Sequence, residues 1–106
     1  MLVAGGFFAF HNKRIIDLAA KNRLPAIYPT VNFVEAGGLM VYSEDRSEML
    51  RRAAEIVDKI LKGTKPADIP VERPKKFDLV INLNAAKRIG LTVPPNVLVR
   101  ATRVIR

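Results

Sequence analysis

The residues able to do chemistry in this 106-residue chain are few and scattered. There is one histidine, His11, and no cysteine, so no imidazole pair, thiolate nucleophile, disulfide or zinc-type ligand set can be assembled. Asp17, Glu35 and Glu55 fall on different segments, and no hydroxyl stands with a base and an orienting partner. Gly5-Gly6 lacks the further spaced glycine of a dinucleotide loop, and Gly37-Gly38 precedes an apolar run of strand length instead of a helix. Catalysis, a metal and a cofactor are therefore not expected, and His11 reads as a surface loop residue. What remains is a set of glycine, aromatic and hydroxyl residues standing directly after apolar runs: Gly6, Phe7 and Phe8; Tyr28 and Thr30; Tyr42 and Ser43. Rings can pack on an apolar ligand and hydroxyls can hydrogen-bond to it, which is the chemistry of reversible recognition.

The elements that must position these residues alternate between strand and helix. Residues 2–4 form an apolar run stopped by Gly5-Gly6. Asn12 suits a helix cap, with Ile15, Ile16, Ala19 and Ala20 at helical spacing and Pro25 as the stop. Residues 26–28 read as a short inner strand, 31–36 as a helical turn broken by Gly37-Gly38, and 39–42 as a further strand. Asp45 with Glu48 three residues on predicts a capping-box start to a long helix, and Leu50, Ala53, Ala54, Val57, Ile60 and Leu61 give it one apolar stripe. Lys59 and Lys62 suit its last turn and Gly63 its left-handed stop. Pro66, Pro70 and Pro74 describe an extended crossing over 64–76. Residues 77–82 read as a strand, Asn84 as the cap of a short helix ending at Gly90, and Pro94-Pro95 as the opening of a last helix carrying Val97, Leu98, Ala101, Val104 and Ile105. This is an α/β rhythm with a parallel sheet flanked by helices. In such sheets ligands sit beyond the carboxyl ends of strands, which is where the three clusters fall. An aromatic after a strand serves packing as readily as ligand contact.

Composition bounds the rest. Hydrophobic residues make up 49% and charged residues 26%, as in ordinary globular proteins, and the length allows one core at most. The formal net charge is +8, from 18 Lys and Arg against 10 Asp and Glu, which raises nucleic acid or an anionic membrane as partners. The cations are spread over every helical segment without a block of like charge, so solvated helix faces are the preferred reading and nucleic acid is not favoured. No run approaches the ~20 apolar residues of a membrane span, and residues 1–10 lack the basic start of a signal peptide.

Several stretches in order resemble the C-terminal part of the substrate-binding proteins of ABC transporters, the family that includes tryptophan/tyrosine-type uptake receptors. They are Arg14-Ile-Ile-Asp-Leu-Ala-Ala20, Leu24-Pro-Ala-Ile-Tyr-Pro29, Phe33-Val-Glu-Ala-Gly-Gly-Leu-Met40, Val57-Asp-Lys-Ile-Leu-Lys-Gly63, Lys65-Pro-Ala-Asp-Ile-Pro-Val-Glu72, and Phe77-Asp-Leu-Val-Ile-Asn-Leu83 through Leu91-Thr-Val-Pro-Pro95. The resemblance implies part of a type I periplasmic-binding-protein fold, in which two α/β lobes close on a small molecule. It divides the chain into 1–44 and 77–106 on the second lobe, the helix 45–63 packed on a first lobe that is not here, and the crossing 64–76. It also implies a small-molecule ligand, an amino acid among the candidates, an ABC permease as partner, and a periplasmic or extracytoplasmic parent.

One family pattern is altered. Where the family runs Ser-Tyr-Gly-x-Asp, this chain has Val41-Tyr42-Ser43-Glu44-Asp45, so a hydrogen bond from position 41 and the backbone freedom of a glycine at 43 are lost. The stripe on the long helix would lack its partner, and burial of such side chains is worth ~1.5–3 kcal/mol each, so self-association through residues 45–63 is expected. The alternatives in other classes are a small basic interaction or nucleic-acid-binding module and a truncated remnant without function.

Overall fold

The computed structural model describes residues 5–106, so the apolar run at 2–4 lies outside the described residues. Gly5 sits at φ +107, a left-handed value that glycine adopts without a Cβ penalty, and turns the chain into the short helix α1 (Gly6–Ala9). Phe7 and Phe8 are thus helical rather than in a loop. Helix α2 (Asn12–Lys21) follows, with Ile16 and Ala19 buried. His11, not Asn12, occupies its N-cap position; the Asn12 side chain accepts instead from the adjacent Lys13 N–H at 2.6 Å. Strand β1 (Ile27–Tyr28) leads through Thr30 into α3 (Val31–Glu35), the turn expected there. Strand β2 (Met40–Glu44) is longer than the apolar run suggested and takes in Tyr42 and Ser43.

Strand β3 (Phe77–Asn82) has the expected bounds and passes into α5 (Leu83–Arg88), which stops at Gly90 with φ +74. The expected last helix is only one turn, α6 (Pro95–Leu98). After it the Thr102 N–H donates to Leu79 O at 2.8 Å and the Leu79 N–H donates to the Thr102 hydroxyl at 3.2 Å. These bonds start β4 (Arg103–Ile105), so Val104 and Ile105 lie in a strand, where β-branched side chains sit well, and not on a helix face.

The strands form one sheet in the order β1-β2-β3-β4. β1 pairs β2 in parallel with Tyr28 opposite Val41, and β3 pairs β4 in parallel with Ile81 opposite Val104. Residues through Ser43 and from Asp78 onward form one compact unit, and Glu44–Phe77 forms a second.

All buried apolar side chains belong to the first unit. Ile16, Ala19, Ala26, Tyr28 and Phe33 make one cluster, Val34, Val41 and Val80 another, and Leu39, Ala85 and Ala86 a third. Gly38 is needed for this packing, since a Cβ there would stand 2.8 Å from both Phe33 O and the Tyr28 ring. Asn82 joins the pieces. Its backbone N–H donates to Leu39 O at 2.8 Å, its side-chain amide donates to Val34 O at 3.2 Å, and its side-chain oxygen accepts from Ala85 N–H at 3.1 Å. The cap of α5 is therefore Asn82 and not Asn84.

The second unit is built on α4 (Arg46–Leu61), where no residue is buried. Asp45 caps it, accepting from Ser47 N–H at 2.9 Å and Glu48 N–H at 3.1 Å. The reciprocal half of the capping box is missing: Asp45 N–H donates to Lys76 O at 2.9 Å, and the Glu48 carboxylate pairs with Arg51 at 2.6 Å. Arg51 and Arg52 both pair with Glu55, and Arg52 reaches Glu72 in the returning segment. That segment is extended apart from a 3₁₀ turn at Pro66–Asp68. Among the described residues no helix is long and apolar enough to cross a membrane.

Candidate functional site

The parallel register of β1 and β2 sets the carboxyl end of one strand beside the other. Tyr28 faces Val41, so Pro29 and Thr30 continue past β1 where Tyr42 and Ser43 continue along β2. Of the expected site residues, Thr30 follows β1 and Tyr42 and Ser43 lie on β2 beyond the paired residues Tyr28 and Val41. Thr30 is exposed and holds the N-cap position of α3, yet its hydroxyl makes no cap bond. Tyr42 is 58% exposed and Ser43 partly so. Val41 between them and the core is fully buried, which fixes the strand that carries them.

Tyr28 is placed differently. Only 2% of it is exposed, and its ring stacks on Phe33 with centroids 5.1 Å apart and planes at 18°. Burial pushes its phenol pKa above the ordinary value, so the hydroxyl stays neutral. It backs the wall from the core rather than presenting a surface. Gly6, Phe7 and Phe8 lie on α1, which packs on α2. A Cβ at Gly6 would meet nothing within 4 Å, so the glycine conformation that matters locally is that of Gly5. The Phe7 ring stands 5.9 Å from Phe8, edge-on, and 4.9 Å from the His11 imidazole.

The second unit holds an open groove of about 580 Å³ between α4 and residues 70–76. Its polar lining is largely committed internally, with Arg52 bound to Glu72 and Asp45 to Lys76 at 3.1 Å. Hydrogen bonds from the Glu48 N–H and the Lys76 side chain hold the Asp45 carboxyl below the usual aspartate range. No group of three His, Asp or Glu that could hold a metal occurs among the described residues. Hydroxyls and aromatic rings are what the strand ends offer, and they suit non-covalent binding.

The sequence reading overlooked Asn82 as the residue that fastens β3, α5, Val34 and Leu39 together. Its signal was available, since an Asn directly after the β-branched pair Val80-Ile81 is a strand-to-helix cap as readily as Asn84 two residues on.

Residues 3–105 match the family model described as ABC transporter substrate binding protein. The chain belongs to this family. Among solved structures, this substrate-binding protein chain is similar to a conserved domain protein from Vibrio cholerae O1 biovar eltor, with 31% identity and a TM-score of 0.85 over 97% of this chain and 34% of that one. It is similar also to the ABC domain from Streptococcus pneumonia crystallised with L-Trp, with 30% identity and a TM-score of 0.80 over 92% of this chain and 34% of that one. The ligand-free, open structure of CD0873, a substrate binding protein with adhesive properties from Clostridium difficile, has a TM-score of 0.67 at 24% identity over 92% of this chain and 32% of that one, and shares the fold. No match was found among curated proteins. The family member described here spans about a third of the length of the solved structures it matches. Its α/β sheet with flanking helices is a segment of their periplasmic-binding-protein-like fold.

Proposed function

We propose that this chain is the C-terminal part of a receptor that captures a small molecule outside the cytoplasmic membrane and presents it to an ABC permease, binding without catalysis by closure of two lobes. The observation that carries this reading is the family match over 3–105 together with a neighbour, 30% identical at a TM-score of 0.80, that holds L-Trp. An aromatic amino acid suits the strand ends: Tyr42 supplies an exposed ring, Thr30 and Ser43 supply hydroxyls, and Phe7, Phe8 and Gly6 form a second bank on α1. Closure draws its free energy from ligand contacts with both lobes, so one wall alone binds weakly.

The test is an NMR titration of the chain with L-Trp, L-Tyr and L-Leu into the millimolar range. The expected result is weak, unsaturated shifts centred on Thr30, Tyr42 and Ser43. Saturation at micromolar ligand would overturn the dependence on closure, and shifts confined to other residues, or none, would overturn the wall.

In the isolated chain the outward stripe of α4 is covered by a second copy in this reading. An antiparallel helix pair sets Leu50 against Leu61 and Ala54 against Val57, and Leu50, Val57 and Leu61 are all exposed in the single chain.

A further inference from the structure

We propose that the α1–α2 face of this chain docks on an anionic lipid bilayer. Phe10 is 88% exposed, which is unusual for a large aromatic. Phe10 lines a shallow depression of about 480 Å³ with His11, Arg14, Asp17, Leu18 and Lys21, so ring, aliphatic side chain and cations share one patch. Leu18 is exposed, whereas Ile16 and Ala19 on the opposite side of α2 are in the core. Residues 5–24 carry four cations, Lys13, Arg14, Lys21 and Arg23, against the single carboxylate of Asp17. None of the four enters an ion pair among the described residues.

That combination matches the headgroup region of a membrane. Phe10 and Leu18 enter the acyl boundary while Lys and Arg extend their stems and leave their charges at the phosphates. Each cation near an anionic surface adds roughly fivefold in affinity. A second copy of this positive face would be repelled by it. A nucleic acid needs flat stacking platforms, but Phe7 and Phe8 pack edge to face at 76°, and a central Leu18 offers bases nothing.

The experiment is co-sedimentation of the full 106-residue chain with phosphatidylcholine vesicles, with and without phosphatidylglycerol. Binding is expected only with phosphatidylglycerol, weakening as salt rises. Arg14→Glu with Lys21→Glu should cost at least tenfold and Phe10→Ser several-fold, with unchanged circular dichroism because all three side chains are exposed. No binding to the anionic vesicles, full binding by the Arg14→Glu, Lys21→Glu variant, or tighter binding to a DNA duplex than to the vesicles would each overturn the proposal. The amino-acid titration reads the strand ends, so either result can fail without the other.

Discussion

Replacing Asn82 by Ala probes the joint on which the wall depends. The side chain is 6% exposed and makes two bonds that alanine cannot: it caps α5 through Ala85 N–H and donates to Val34 O. Loss of an Asn cap costs about 1 kcal/mol. The Val34 carbonyl keeps the Gly37 N–H at 3.1 Å, so losing the second bond, from the Asn82 amide, adds only about 0.5–1.5 kcal/mol. The expected loss is therefore about 1.5–2.5 kcal/mol, a sizeable share of the ~5–15 kcal/mol that holds a domain of ordinary stability. For a chain of this size that corresponds to a fall in Tm of roughly 6–20 °C.

Urea unfolding followed by far-UV circular dichroism measures the difference, and Asn82→Asp separates its two parts. Aspartate keeps an oxygen for the cap but puts a carboxylate where the amide donated to Val34 O. It should be at least as destabilising as alanine at neutral pH. Its folded-state pKa would be raised by burial, so stability should recover as pH falls and the protonated acid can donate. An alanine variant within ~0.5 kcal/mol of the parent, the range of ordinary surface changes, would refute the reasoning.

Other outcomes follow from the same structure. Gly38→Ala should cost about 1–3 kcal/mol by overpacking, because the Phe33 carbonyl cannot retreat from a methyl group, and thermal melts that place it level with the parent would contradict the contact. Asp45 has a depressed folded pKa, so its contribution is present above the unfolded aspartate value of ~3.9 and lost as pH falls through the lower folded value; the α4 helical signal should drop in that acid window, and less so in Asp45→Asn. Val57→Glu should turn a concentration-dependent dimer into a monomer by light scattering, and a parent chain monomeric at micromolar concentration would remove the α4 pairing. Amides of α4 should exchange hydrogen well before those of β2, β3 and α5 in dilute protein, with protection rising at high concentration.

Local chemistry was legible wherever one residue decides an element. Asp45 as a cap, Gly90 as a left-handed stop and the β-branched run of β3 needed no neighbours to be read. The C-terminal segment was misread because Val97, Leu98, Ala101, Val104 and Ile105 fit a helical period, while the choice of strand rests on Thr102 meeting Leu79, a contact 23 residues distant in sequence. Tyr28 illustrates the same limit for the site. Its type and its place after a strand suit ligand contact, and only the packing of Phe33 over its ring sends it into the core. Phe7 and Phe8 are helical because the chain enters α1 directly from Gly5 at φ +107.

The same connection that carries the wall also carries the chain between its two units. β2 holds Tyr42 and Ser43, ends at Glu44, and is followed without a spacer by Asp45, the cap of α4. The return is as tight: Lys76, whose carbonyl receives the Asp45 N–H, directly precedes the first residue of β3. The residues proposed to touch ligand are thus one and two positions from where the chain leaves the core. Behind them Val41, Val34 and Val80 are fixed by burial, whereas nothing in 44–77 is buried. Burial therefore holds the strand that presents Tyr42 and Ser43, as the proposed wall requires.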